Sequence, residues 1–441
     1  MSHAELRQIA ERVVAEARRL GAEEARVRVS EGSYSQLERR DGKVEKAQES
    51  RSRAAGLSLM VDGRFSAHST NDLRPEAVTQ FLERAVAATR FMEPDPDRRL
   101  PDLSEMGAAD VDLDPIDPHF GAYTSADRRQ GAEALEAACQ DRAQGAPVRS
   151  ITSFVWDGRS DSALVTSNGF SSSWASTSFG AGATISLEDA DGRLPEAWTS
   201  YGVRHRADLP DARHIANDLV ERGQSRLGSK AAPSGRYALL LDRRVVGRML
   251  GTLLGPLSGT AIYEQRSCMA DKLGEKIAAE GLTLIDDPLI ARAGGSQPHD
   301  GDGLPSRRRA ILDAGVLQMF FLSVYNARRL KVAPTTGGAS NLIVPPGARS
   351  PADMTAGLDR AIRVDGFLGG NSNPTSGDFS YGVHGALIEG GKEVRPVSEM
   401  NVSGNVFELL ERFVEAADDP WTFSSWRTPT LLFRDIQFSG T

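Results

Sequence analysis

Cysteine is almost absent. Cys139 and Cys268 are the whole supply in 441 residues, and neither belongs to a CxxC pair. That argues against a disulfide framework and against a cysteine-built structural zinc site. The expectation is two free, buried thiols. Histidine is also scarce: His3, His68, His119, His205, His214, His299 and His384. A helical metal pair needs spacing of three or four residues. The nearest two, His205 and His214, are farther apart than that, and no HExxH occurs. Positive charge is not in excess, since 60 acidic residues face 52 basic ones for a net −8. That balance argues against a general polyanion surface, and no nucleic-acid partner is expected. No apolar run approaches the ~20 residues that cross a bilayer. The first residues, MSHAELRQIAERVVAEARRL, lack the apolar centre of a secretory signal. A cytoplasmic protein without a membrane partner is the expectation.

Signatures of common catalysts are missing as well. There is no GxSxG elbow, and the glycine-rich string Gly251–Gly259 has neither a GK[ST] ending nor GxGxxG spacing. It reads as a helix end and a tight turn. The acidic run Asp300-Gly301-Asp302-Gly303 lacks the downstream glutamate of a calcium loop and reads as a loop. Arg307-Arg308-Arg309, flanked by Asp302 and Asp313, reads as a solvated strand end.

What remains is a soluble-type composition, 40% apolar and 25% charged, in a chain long enough for two or three domains. Leu6, Ile9, Ala10, Val13, Val14, Ala17 and Leu20 form one apolar stripe, predicting a first helix capped by Ser2 and ended by Gly21. Asp41-Gly42 and Asp62-Gly63 are hairpin dipeptides around a strand at 53–61. Helical spacing returns over 75–90. Residues 93–121, rich in proline and aspartate, predict a linker wrapping the surface. A helix at 125–143, strands over 148–206 and a helix at 211–228 follow. The serine-rich run Phe170–Phe179 predicts a strand with one solvated face. Beyond residue 231, glycine pairs at 337–338, 369–370 and 390–391 punctuate a strand-rich region, with helices expected at 242–254 and 406–416. The fold class is α+β: an N-terminal helix with antiparallel sheet units, then a β-rich, glycine-rich C-terminal domain. The expected divisions are 1–92, a linker at 93–121, 122–230 and 231–441.

Several stretches, in order, carry a family resemblance. They are Arg40-Asp41-Gly42-Lys43-Val44-Glu45, Asp300–Gly303 with Arg307–Arg309, and Ser323–Leu330. Thr336–Asn341, Thr375–Ser380, and Pro396–Glu399 with Val402–Asn405 complete the set. In these the chain resembles the TldD/PmbA family, also called modulators of DNA gyrase. The resemblance implies a heterodimer in which one branch carries HExxxH and a downstream cysteine around zinc. The other, TldE/PmbA branch lacks that set. Here the corresponding helix reads Gly247-Arg248-Met249-Leu250-Gly251-Thr252, and the C-terminal stretch 421–428 has no cysteine. The resemblance is therefore to the TldE/PmbA branch.

It implies no catalytic and no metal residue in this chain, no cofactor of its own, and zinc in an HExxxH-bearing partner subunit. The complex would cleave unstructured peptides, in maturation or degradation. Candidate partner or peptide contacts are Tyr325, Asn326, Arg328, Arg329, Asp378 and Ser380. Two other readings stay open: a protein-binding module or regulator acting without a protease partner, and an enzyme with a dispersed metal site.

Overall fold

The computed structural model describes residues 2–373 and 375–440. Helix α1 (His3–Arg19) starts as the stripe predicts. The Ser2 hydroxyl accepts from the Glu5 N–H, and the Glu5 carboxylate accepts from the Ser2 N–H. β1 (Glu24–Arg40) and β2 (Lys43–Val61) turn at Asp41 and Gly42, both at positive φ. Asp62 and Gly63 do the same between β2 and β3 (Arg64–Thr70). α2 (Pro75–Thr89) has proline in its first turn. Leu6, Val13 and Ala17 of α1 and Leu82 and Val86 of α2 pack on the inward residues of β1 and β2.

After the proline-rich segment come α3 (Ser125–Arg142), β4 (Val148–Thr166), β5 (Ser171–Leu187), β6 (Glu196–Val203) and α4 (Ala212–Gln224). These strands extend the first sheet. β1 pairs with β4 from Arg26↔Thr166 to Arg40↔Thr152, giving the order β3-β2-β1-β4-β5-β6. The stretches 1–92 and 122–230 thus share one antiparallel sheet, with β6 at its edge. The Asp41-Gly42 turn docks on α3, where buried Glu136 accepts from the Gly42 N–H at 2.7 Å and pairs with Arg39 at 2.9 Å.

The serine run corrects an expectation: no solvated face runs the length of β5. Ser176 and Thr177 are buried. The Thr177 hydroxyl accepts from the Asp117 N–H and donates to the Arg204 carbonyl, so the 113–117 stretch covers it without leaving a polar group unpaired.

The rest of the chain begins with β7 (Gly235–Leu241), α5 (Val246–Leu250), α6 (Gly259–Tyr263), β8 (Leu284–Asp286), β9 (Arg309–Asp313) and β10 (Val316–Leu317). Next are α7 (Val324–Leu330), β11 (Leu342–Ile343), α8 (Pro351–Ala356), β12 (Arg360–Ser372), β13 (Asp378–Glu389) and β14 (Lys392–Asn405). α9 (Val406–Glu411), β15 (Phe413–Ala416), β16 (Trp426–Arg427) and β17 (Leu431–Ser439) close it. One sheet has the order β14-β13-β12-β7-β17-β15, and β14 also pairs with β17, so five strands close into a barrel. A smaller sheet, β10-β9-β8-β11-β16, lies beside it. The class is α+β.

Two expected helices are shorter. The 242–254 stretch forms only α5 and a 3₁₀ turn at Gly251–Leu254, because glycines at 247, 251 and 255 weaken it. The 406–416 stretch ends its helix at Glu411, and Phe413–Ala416 pairs with β17. Cys139 is buried, and burial pushes its thiol up to about 12. Cys268 is exposed, in a turn beside the Thr375 and Ser376 carbonyls.

Candidate functional site

A cleft of about 1660 Å³ opens between β6 and α4 on one side and α5, β12 and the 419–430 segment on the other. Three aromatic rings bind these walls together. Tyr201 of β6 lies 5.1 Å from Trp421 and 4.8 Å from Phe423, ring centre to ring centre. The Tyr201 hydroxyl donates to Asp218 on α4, which also pairs with Arg244 at 2.6 Å. The Arg244 guanidinium sits 4.5 Å from the Trp421 ring. The C-terminal segment is thereby fixed against the first sheet.

The helix of the family resemblance forms part of this wall. Gly247 and Gly251 stand one turn apart on α5 and its 3₁₀ extension, and the Trp426 ring lies over both. A side chain at position 247 would start 2.6 Å from the Trp426 ring. Arg248 is exposed, donates to the Gly369 carbonyl at 3.2 Å and lies over the Tyr381 ring at 5.3 Å. Met249 and Leu250 are buried in the C-terminal core. Thr252 is buried and reaches the Tyr381 hydroxyl at 3.3 Å. Imidazole, thiolate and carboxylate are all missing from this window, and an indole fills the space a first ligand needs. The residues do not fit zinc. Among the described residues no three His, Cys, Asp or Glu gather in metal-binding geometry.

The other expected contacts lie away from the cleft. Tyr325, Asn326, Arg328 and Arg329 all sit on α7, where they serve the chain itself. Tyr325 donates to Asp95 at 2.8 Å, and Arg328 donates to the Arg99 and Leu100 carbonyls at 2.6 and 2.7 Å. Arg329 lies over the Tyr263 ring at 3.4 Å, and Asn326 reaches Thr260. Tyr325 and Arg328 thereby strap the proline-rich segment to the C-terminal domain, while Arg329 and Asn326 hold α7 to α6. Asp378 accepts from Ser376 and Asn405 at the start of β13, and Ser380 is exposed beside it.

Besides its arginines, two titratable groups lining the cleft depart from ordinary behaviour. Burial, with the Asp365 carboxylate beside it, raises Asp242. Burial and then the Arg226 guanidinium push His384 down to about 4. His384 faces Gly366 across the β12–β13 pair, where glycine alone leaves room for the ring. The folded chain keeps His384 neutral while the unfolded chain protonates it near 6.5. The unfolded state therefore binds more protons between these values. This contribution to stability is complete above pH 6.5 and is lost as pH falls toward 4. Urea midpoints of the wild type and His384→Gln, compared across that window, are expected to converge as the pH falls.

Three family profiles match the chain: PmbA/TldA metallopeptidase domain 1 over 25–89, the central domain over 118–227 and the C-terminal domain over 234–440. The metalloprotease PmbA of Escherichia coli O157:H7 is 26% identical over 425 residues, covering 94% of this chain and 92% of the relative. A crystal structure described as a modulator of DNA gyrase, from Bacteroides thetaiotaomicron, superimposes with a TM-score of 0.94 at 33% identity, covering 99% of each chain. TldE from Thermococcus kodakarensis, at 21% identity, shares the fold with a TM-score of 0.86 over 98% of this chain and all of that one. No described helix is long and apolar enough to cross a membrane. On all three domains, and in the same order, the chain belongs to the TldD/PmbA family of metallopeptidases.

Proposed function

We propose that this chain is a non-catalytic, TldE-like subunit of a zinc metalloprotease that cleaves unstructured peptides. One observation carries the reading. In the window Gly247–Thr252, where the resemblance puts HExxxH, glycine and threonine stand for the two histidine ligands and arginine for the glutamate base, and Trp426 closes over the first. A hydrolytic water needs a Lewis acid or a base to lower its pKa, and this window offers a cation instead. The zinc and the base then belong to an HExxxH-bearing partner, and this chain supplies walls of the shared chamber, in the cytoplasm.

The test is co-expression with such a paralogue from the same genome. The expected result is a 1:1 complex that holds zinc and cleaves an unfolded peptide, while this chain alone holds none and cleaves nothing. Peptide cleavage by the lone chain with stoichiometric zinc would overturn the reading. So would failure of the two chains to associate, which would favour a binding module without a protease partner.

A further inference from the structure

The cleft wall carries nine arginines and six carboxylates. Four arginines are paired: Arg243 with Asp419, Arg244 with Asp218, Arg292 with Asp114 and Asp208, and Arg363 with Asp365. Of the remaining wall carboxylates, Glu221 faces Arg142 at 3.6 Å, and Asp242 is raised toward its neutral form.

Five arginines are left without a carboxylate in contact among the described residues. Each is instead held by main-chain oxygens. Arg204 donates to Gly294 at 2.6 Å, Arg222 to Asp365 at 3.1 Å and Arg427 to Thr422 at 2.8 Å. Arg248 donates to Gly369, and Arg226 to Glu196. Carbonyl bonds orient a guanidinium without supplying the contact ion pair of a carboxylate, and Glu196 and Asp365 act on Arg226 only from a distance. Four of the five are partly buried, where an unpaired cation is unfavourable. Burial lowers Arg204, Arg226 and Arg427 from their ordinary values.

Two further features describe what could neutralise them. β6 is the edge strand of the first sheet, and six of its eight residues line the cleft. A sheet edge offers main-chain groups to an extended chain. On that strand Trp198 is 67% exposed, a large rigid ring left open to the cleft. The volume also exceeds the ~300–1,000 Å³ typical of small-ligand pockets.

We propose that this cleft binds an extended acidic peptide segment, its backbone along β6 and its carboxylates on Arg204, Arg222, Arg226, Arg248 and Arg427. Carboxylate is the planar, bidentate partner that oriented guanidinium groups fit best. A peptide is favoured over a nucleic acid because the edge of β6 offers main-chain donors and acceptors that an extended peptide backbone can pair with and a sugar–phosphate backbone cannot. The proposal adds a substrate class to the subunit reading, and rests on it in taking the ligand to be a peptide. Binding itself needs no partner.

The test uses the full chain alone and fluorescein-labelled eight-residue peptides, the length of β6. One alternates Glu with Ser, a second Gln with Ser and a third Lys with Ser. An oligothymidylate of equal length is the fourth probe. Fluorescence anisotropy should show binding of the Glu peptide, weakened by salt, with the Gln and Lys peptides at least about tenfold weaker. Arg222→Gln with Arg226→Gln should weaken the Glu peptide by roughly tenfold or more. Arg248→Gln, at an exposed position that leaves folding intact, should weaken it severalfold. Equal binding of the Gln peptide, tighter binding of the oligothymidylate, no binding of any probe, or an unchanged affinity in Arg248→Gln would each overturn the proposal. Complex formation with the paralogue is measured separately, so the two readings fail separately.

Discussion

Replacing Gly247 with histidine is expected to destabilise the chain by about 3 kcal/mol, at the upper end of what overpacking a filled site does. The new Cβ would stand 2.6 Å from Cγ and 2.9 Å from Cδ1 of Trp426. The indole has little room to retreat. Trp426 belongs to β16, which pairs in parallel with β11, and its main-chain N–H donates to the Ser424 hydroxyl. The better helix propensity of histidine offsets only about 0.5 kcal/mol. Urea unfolding reads the effect as a lowered midpoint at constant slope. Trp426→Ala should relieve it, so the double variant loses clearly less than the sum of the singles. A Gly247→His chain as stable as the wild type would show that the ring does not close this position. On the function proposed above, HExxxH introduced by side-chain exchange at 247, 248 and 252 is expected to bind no zinc while Trp426 remains, as metal analysis of the purified variant would read.

The second large effect lies beneath the cleft wall. Arg128 of α3 forks onto Asp157 of β4, with one nitrogen–oxygen distance of 2.9 Å, and their side chains are 13% and 3% exposed. Asp157 follows Trp156, which lines the cleft. Arg128→Met leaves a buried carboxylate without its partner and is expected to destabilise by about 3–5 kcal/mol. The nearby Glu49, 3.7 Å from Arg128, is an acid and offers no substitute. Arg128→Met with Asp157→Leu should recover most of the loss, because the uncompensated charge is then gone. Thermal or urea unfolding of the three variants checks this. Single and double variants of equal stability would sink the account.

Much of the first half was legible in the sequence because its signals are local. Asp41-Gly42 and Asp62-Gly63 mark turns that the backbone then makes at positive φ, and the stripe of α1 buries Leu6, Ala10, Val13 and Ala17. The apolar spacing at Val245, Val246, Met249 and Leu250 was a weaker guide. Glycine every fourth residue competes with it, and the stretch bends into a 3₁₀ turn. At Phe413–Ala416, pairing with β17 overrides a helical pattern. The lack of His, Cys, Asp and Glu in Gly247–Thr252 is plain in the sequence, but the packing of Trp426 over Gly247 could not be read there, since that contact joins residues far apart in the chain. The arginine cleft left no trace at all. Its unpaired members lie just after β6, on and just after α4, on α5 and in the C-terminal segment, and only the topology gathers them. The intrachain role of α7 was equally hidden, because the bonds of Tyr325 and Arg328 to residues 95–100 of the same chain join stretches far apart in sequence.

The pairing of β1 with β4, and of β7 with β17, also governs when the protein can form. A chain leaving the ribosome has β1 to β3 complete early, yet β1 waits for β4, across a separation such as Arg26 to Thr166. The C-terminal sheet waits longer. β17 lies between β7 and β15 and also meets β14, so the last strand in order among the described residues is an interior one. Long-range pairing of this kind slows folding and leaves unpaired edges open meanwhile. Nascent chains released before about residue 431 would expose the flank of β7, making them early clients of chaperones and proteases.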